Sequence, residues 1–502
     1  MNKVVICGEK RGRSMEMKHV LKIKLEGGVF SSRLMRAFIN QGGPYELLRG
    51  PLKGNERASR EEGGFIYGLP GSYIADPAMA VTVTVTEWRL NNEAARFAAI
   101  PWEKVEGGLR AAGLLAELGD GRAATGRNGG YVRRYAVSVF NLRALTVVPV
   151  QASTVTLPFS GAGGEPEPAS PLWRRLEKTA VRALYTFGLD FGEVVIRAGA
   201  EGCFTVEKMG TSPSYGGMRA AALTAEAMAG LLRELEEAEA RFSERLIGMD
   251  PEFLLYNGKT KKVVQASRYL GRQGIAGCDV LRYRGRRLFP VAELRPEPGR
   301  EPRDSVRQLL RAFRAAKSAI TDGELLWQAG GMPQRGFPLG GHLHFSGVPL
   351  TGELLRTLDN YLALPMALLE DSRSARRRPL YGFLGDFRRK DYGGFEYRTL
   401  PSFLISPLVA KGVLGLAALI LRDYRSLQRR PLQDQTVQKA FYEARKQVLR
   451  KTWPPLARDI AASPGYPDYA EYIAPFLDAV QSGKVWDESA DIRGPWKLQT
   501  DS

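Results

Sequence analysis

Four segments of this chain repeat one pattern: two chemistry-bearing side chains separated by a single residue, set in apolar surroundings. They are Asp250 and Glu252 in GMDPEFLLYN, Glu293 and Arg295 in FPVAELRPEP, His342 and His344 in GGHLHFSG, and Glu396 and Arg398 in GGFEYRTLPS. Along a strand, residues i and i+2 point to the same face. Each segment is therefore expected to be a strand with one charged face, and four such strands to line a common cavity. The chain has only three histidines, so two of them sharing one strand face carry information.

The totals bound the class. At 502 residues the chain is long enough for two or more domains. Its content, 44% hydrophobic and 25% charged, is that of a soluble protein. Cys7, Cys203 and Cys278 are too scattered for a zinc knuckle or a disulfide framework, which points to a reducing, cytoplasmic setting. The N-terminal apolar run is too short for a signal peptide. The longest apolar run, 412–421, falls far below the roughly 20 residues of a membrane span and reads as a buried helix. The net charge of +18 favours anionic ligands. Its short clusters (Arg376–Arg378, Arg388–Lys390, Lys259–Lys262) also suit a solvated surface. Neither a helix-turn-helix nor an aromatic RNA-binding motif is present, so nucleic acid is not an expected partner.

The expected organisation is an N-terminal α/β region over 1–160, its end and a connecting helix over 161–245, and a C-terminal α+β domain over 246–490. The Gly/Pro/Ser-rich stretch 159–170 reads as a linker. Apolar residues at three- and four-residue spacing predict a long helix after Ser214. In the last domain, DPEFLLY and KKVVQAS predict a hairpin around Asn257-Gly258. Helices are predicted over 304–320, 351–370 and 407–427, between the dyad strands. Upstream, VTVTVTEW with Val81, Val83 and Val85 on one face, a strand pair around Asn141, a helix over 172–187 and strands over 192–197 and 203–208 are expected.

Asp250, Glu252, Glu293 and Glu396 would crowd four carboxylates into one cavity. Unpaired, they resist burial, and a hard divalent cation such as magnesium or manganese resolves the repulsion. His342 beside them suits the same ions, whereas zinc would need further His or Cys ligands. Arg295 and Arg398 offer planar forks for phosphate or carboxylate. Gly340 and Gly341 would let a ligand or backbone approach closely. Together these point to phosphoryl transfer to an acid. The bland alternative is that the acid–arginine dyads pair across neighbouring strands and serve only the sheet.

GMDPEF, AELRPEP, GGHLHFSG and FEYRTLPS, in that order, resemble the phage-type carboxylate–amine ligases, or amidoligases, of the glutamine synthetase and glutamate–cysteine ligase fold. LDNYLALPMALLED and RPLYGFLGDFR are similar to members encoded by spore-forming bacteria. The resemblance covers about 245–430. It implies an antiparallel sheet curved into a funnel, ATP and Mg2+ (or Mn2+) as cofactors, and amide or isopeptide formation through an acyl phosphate. It also implies a substrate set of an amino acid, peptide or protein with a free carboxylate and an amine. By position it implies Asp250, Glu252, Glu293, His342 and Glu396 as metal ligands, with Arg295, Arg398 and His342 on the nucleotide. Arg295, Arg398 and His344 would act on the reacting groups. The first pair is Asp-Pro-Glu where the family pattern is Glu-x-Glu, so the shorter Asp250 is the less secure ligand.

Upstream, RRYAVSVFN and ALYTFGLDFGEVVIRAGAEGCFTVEKMGTSP resemble the late part of a spore-coat-associated ATP-grasp domain. Its metal-binding positions fall here on Val195, Lys208 and Gly210, which implies a degenerate module. An ATP-grasp protein is accordingly among the candidate partners. The 373–391 segment is a candidate flexible lid. Hydrolase or kinase chemistry in the same cavity is one rival reading. The other is a catalytically inert binding or structural protein, associated with a spore coat or cell wall, that keeps a vestigial site.

Overall fold

The structure is a computed structural model. It describes residues 4–9, 18–25, 83–119, 133–150, 165–199, 202–212, 214–215, 217–283 and 286–498. The chain divides into two units, residues 1–110 with 114–236, and 111–113 with 237–502.

Among the described residues the first unit holds two sheets. Strands β1 (Val4–Glu9), β2 (Lys18–Leu25) and β3 (Val83–Leu90) form one, with β1 antiparallel and β3 parallel to β2. Val81 and residues 159–164 of the 159–170 linker lie outside the described residues. Two short helices follow, α1 (Ala94–Ala98) and α2 (Trp102–Ala111). The second sheet runs in the order β4 (Leu115–Ala116), β8 (Phe204–Gly210), β7 (Phe191–Ala198), β5 (Arg133–Phe140), β6 (Arg143–Val150). The β5–β6 turn places Asn141 and Leu142 at φ 41° and 65°, as a tight hairpin requires. Helix α3 (Pro171–Thr186) packs on this sheet. It starts where Ser170 Oγ accepts the Trp173 amide at 3.2 Å, and it buries Leu176, Ala180, Ala183 and Leu184. Val195 and Lys208 are opposed on β7 and β8. Helix α4 (Gly217–Ala240) is the long helix expected after Ser214, and the unit boundary falls within it.

The second unit is built on β9 (Leu246–Asn257), whose length lets it pair with four strands. On one side are β12 (Arg286–Leu294) and then β10 (Lys262–Val264). On the other are β14 (Gly341–Ser346) and then β13 (Leu325–Gln328). Beyond them lie β11 (Ala276–Tyr283) next to β12, and β16 (Phe395–Tyr397) followed by β15 (Phe387–Arg389) next to β14. Every pairing is antiparallel. The expected α+β class with a curled antiparallel sheet is therefore what the chain forms. The β9–β10 hairpin turns through four residues, 258–261, rather than two. Asn257 Oδ1 accepts the Lys259 and Thr260 amides at 3.0 and 2.8 Å, and this wider Asx-type loop uses the Asn-Gly signal differently.

One sheet face is apolar and covered by helices. Phe253 stacks on Trp327 at 4.8 Å and Phe345 meets Phe395 at 5.3 Å, all four fully buried, each contributing about 1.5–3 kcal/mol by leaving water. Helix α5 (Pro302–Ala319) buries Leu309, Ala312, Phe313 and Ala316. The helix expected over 351–370 is capped by Thr351, but it is α6 (Gly352–Leu358), a π turn (Asp359–Ala363) and α7 (Leu364–Leu369). The apolar run 412–421 lies in α8 (Pro407–Asp423) and every residue of it is buried. Helices α9 (Gln435–Tyr442), α10 (Lys446–Ala462) and α11 (Tyr466–Gln481) complete the unit. Gly412 and Gly415 admit Phe476 and Ile473 of α11 against α8, where any Cβ would collide. Among the described residues no helix is long and apolar enough to cross a membrane.

Candidate active site on the polar face of the sheet

The register decides where the dyads go. Glu252 is directly opposite Glu293, Asp250 opposite His342, and His344 opposite Glu396. Directly opposed residues of an antiparallel pair share a face, and so do residues two apart. Asp250, Glu252, Glu293, His342, His344 and Glu396 therefore all stand on one face, and Arg295 and Arg398 follow the ends of β12 and β16. A cleft of about 580 Å³ opens over this face, lined by Gly248, Asp250, Arg295, His344 and Tyr392 among others. That is the size of a small-molecule site.

Asp250 is the hub of one half. His344 Nε2 lies 2.9 Å from Asp250 Oδ2, and His342 Nδ1 lies 3.0 Å from Oδ1 and 3.4 Å from Glu396 Oε1. Burial opposes ionisation of Asp250, but the two imidazoles outweigh it and hold the carboxyl well below its ordinary range. Glu396 is gripped by Lys390 at 2.6 Å, Arg398 at 2.8 Å and Arg388 at 3.5 Å. Burial again pushes up, but His342, Arg398 and Lys390 bring its pKa below normal.

The other half is acidic and underpaired. Glu252, Glu293 and Asp279 of β11 bring carboxylate oxygens within 4.8 Å of one another. Burial, then the charge of Glu293, drives Glu252 well above the usual carboxylate range, with the Gly340 amide at 2.6 Å partly offsetting. Burial and the charge of Asp250 push Glu293 to about 8, against the pull of its ion-pair partner Arg295. Arg295 lies over Gly277, where a Cβ would displace its guanidinium, and donates to the Arg272 carbonyl at 3.0 Å.

These partners come from the chain around the strands. Gly340 and Gly341 were expected to let a ligand or backbone approach closely. A Cβ on Gly340 would meet the His342 ring and one on Gly341 would meet the Pro401 carbonyl and Phe403, so the close approach is made by the protein itself. Glu488 accepts the amides of Gly331 and Met332 at 2.6 and 2.9 Å, and Gly331 in turn accepts Leu339, fixing the loop that ends at Gly340. Behind β16, Tyr397 donates to Asp359 of the π turn at 2.7 Å, and buried Arg377 donates to the carbonyls of Thr399 and Arg398 at 2.8 and 3.1 Å. Burial lowers Arg377 to about 10. The expected flexible lid over 373–391 is thus an anchored segment. Arg378 forms a buried pair with Glu370 at 2.8 Å, and only the turn carrying Tyr392, 59% exposed, overhangs the cleft.

The sequence reading missed Asp279, Arg388 and Lys390. Asp279 carried no dyad signal. Arg388 and Lys390 did show the same one-residue spacing in FRRKDY, but read as a surface cluster.

The family model for the phage phiEco32-like COOH.NH2 ligase, type 2, matches residues 247–498, half of the chain. The chain belongs to this family. The matched span of this COOH.NH2 ligase family contains all eight candidate site residues and lies wholly in the second unit. No curated protein matches the chain significantly. Among solved structures it is similar to a bifunctional glutathione synthetase from Pasteurella multocida, at 11% identity over 53% of this chain and 54% of that one, TM-score 0.30. It is similar to the complex of the prokaryotic ubiquitin-like protein Pup with its ligase PafA, at 12% over 52% and 69%, TM-score 0.32. It is also similar to Plasmodium falciparum glutamine synthetase, at 11% over 61% and 75%, TM-score 0.23. The chain thus spans about half the length of the glutathione synthetase it matches.

Proposed function

We propose that the second unit is an ATP- and magnesium-dependent carboxylate–amine ligase that forms an amide or isopeptide bond on an amino acid, peptide or protein. The observation that carries this reading is the single polar face across β11, β12, β9, β14, β16 and β15, acidic at one end and cationic at the other. Membership of the COOH.NH2 ligase family supports it.

The donors fit a hard divalent ion. Glu252 and Glu293 are buried face to face at a cost that only a proton or a cation relieves, and the set is rich in oxygen. Glu252, Glu293 and Asp279 would hold one such ion, and Asp250, Glu396 and His342 or His344 a second. Bound there, Mg2+ or Mn2+ neutralises charge on a phosphoryl group in transfer.

The rest falls to the chain. The substrate acid uses a carboxylate oxygen to take the terminal phosphoryl group of ATP, and ADP leaves. The amine nitrogen then attacks the acyl carbon, loses a proton and expels phosphate. Arg398, fixed by Glu396 on one side and its own anchored backbone on the other, orients an oxyanion with a planar fork. Arg295, on the rim beside Glu293, does the same from the opposite end. His344, held by Asp250, presents its ring to the cleft. Much of the catalysis is then positioning.

The test is calorimetric titration of ATP into the protein with and without Mg2+, repeated for Glu252→Ala, Glu293→Ala and His342→Ala. Phosphate release is then screened over amino acids and peptides. Mg2+-dependent binding that is lost in the variants is the expected result. Absence of nucleotide binding in both conditions would sink the ligase reading.

A further inference from the structure

Glu396 carries more positive charge than one carboxylate can neutralise. Its side chain is 2% exposed, and Arg398, Lys390 and Arg388 all contact it at 2.8, 2.6 and 3.5 Å. Asp250 brings a second carboxylate oxygen within 4.8 Å of it, so three formal cations against two anions still leave one positive charge over. Arg388 is directly opposite Glu396 in the β15–β16 register, and Lys390 lies two residues further along the same face. They form a fifth same-face dyad beside the four that define the site. Their side chains are 59% and 24% exposed, so both reach solvent while touching a buried acid. Tyr392, two residues on, lines the cleft.

The opposite end of the face has the reverse imbalance, with Glu252, Asp279 and Glu293 against Arg295. Arg388 and Lys390 use Glu396 as an internal counter-ion. If a divalent cation engages Glu396 as proposed above, the carboxylate's charge is claimed elsewhere, and both partly exposed side chains stand on the site's face with their donors released. A guanidinium and an ammonium on one exposed face then suit an oxyanion.

We infer that Arg388 and Lys390 are substrate-binding residues, forming an anion site that a divalent cation at Glu396 switches on. This rests on the ligase reading of the site. The ligand chemistry is an oxyanion, either a phosphoryl group of the nucleotide or a carboxylate of the acid substrate.

The experiment uses the full chain and two probes, inorganic phosphate and glutarate. Each is titrated calorimetrically into the wild type, the Arg388→Met/Lys390→Met double variant and the conservative Arg388→Lys and Lys390→Arg variants, at saturating Mn2+ and in metal-free buffer. Mn2+ affinity is measured in parallel by water-proton relaxation. The expected result has Mn2+ raising the wild type's affinity for one probe, and the double variant binding that probe about tenfold or more weakly. The conservative variants recover most of the affinity. Mn2+ affinity in the double variant is unchanged or tighter, because competitors for Glu396 are gone. The preferred probe assigns the source, phosphate for the nucleotide and glutarate for the acid. Probe affinity within twofold of wild type overturns the inference, as does failure of the wild type to bind either probe. A parallel loss of Mn2+ affinity overturns it too, since the pair would then merely shape the metal seat. A wild type that binds a probe but no Mn2+ defeats the metal switch and the ligase reading together. The wild type binding Mn2+ normally while Arg388 and Lys390 prove irrelevant to both probes defeats this inference alone.

Discussion

Glu252 and Glu293 are direct cross-strand partners, both buried, in the middle of an eight-stranded sheet. Like charges in that position destabilise a sheet, and burial adds to the penalty. A fold optimised for stability alone would place apolar residues here.

Glu293→Gln keeps the shape and removes the charge. At pH 8 and without metal its melting temperature should rise, by about 2–4 °C for each kcal/mol of repulsion relieved. Mn2+ should no longer raise it to the wild-type extent, and phosphate release should fall by roughly a hundredfold or more. Thermal melts with and without Mn2+, beside a phosphate-release assay, check both halves. A lower melting temperature would mean that the pair is held by something other than an ion.

The pH dependence of stability follows from the same pair. The pKa of Glu293 is about 8 in the folded chain against an ordinary 4.5, and that of Glu252 is also raised. Between those values the native state keeps a proton that the unfolded chain has released. Their contribution to stability is therefore favourable at low pH and is lost as pH rises through about 8. Urea unfolding of metal-free protein from pH 5 to 8 should show this decline. Saturating Mg2+ should flatten it, and Glu293→Gln should remove its share.

Asp250 behaves oppositely, because His342 and His344 hold its pKa down. Removing one imidazole with His344→Ala should let that pKa rise toward normal. The acid limb of Mn2+ binding should then move to higher pH, read from relaxation titrations at successive pH values. An unmoved limb would show that His342 alone sets the ionisation of Asp250.

Gly340→Ala tests the loop that orients Glu252. A Cβ there would run into the His342 ring, and the amide that Glu252 accepts would shift with it. The expected cost is about 1–3 kcal/mol in urea unfolding, with weaker Mn2+ binding. Gly323→Ala, where nothing lies within 4 Å of the added Cβ, controls for the loss of a glycine alone.

Much of this was legible in advance because it follows from local periodicity. The one-residue spacing of Asp250 with Glu252, and of His342 with His344, needed only strand geometry to place each pair on one face. Leu309, Phe313 and Ala316 marked α5 by helical spacing. What escaped lacked a local signature. Asp279 is an isolated acid in β11, and it joins Glu252 and Glu293 only because β11 pairs with β12. Arg388 and Lys390 had the spacing but resembled a solvated cluster, since nothing near them in sequence reveals that Glu396 lies opposite. Gly340 and Gly341 were read as room for a ligand or backbone, and which of these it is came only with the fold: the His342 ring lies against Gly340, and the Pro401 carbonyl and Phe403 against Gly341.

The amino-acid order by itself determined which side chains share a strand face and which segments are strands or helices. Those properties depend on neighbours two to four residues away. Only the tertiary structure decided which strands are adjacent and in what register, and hence that Glu252 faces Glu293 while His344 faces Glu396. A slip of one residue in any pairing would send a dyad to the apolar face. The pKa values, the split into acidic and cationic ends and the grip on Glu396 all follow from that register, because Coulomb forces and burial act through space rather than along the chain.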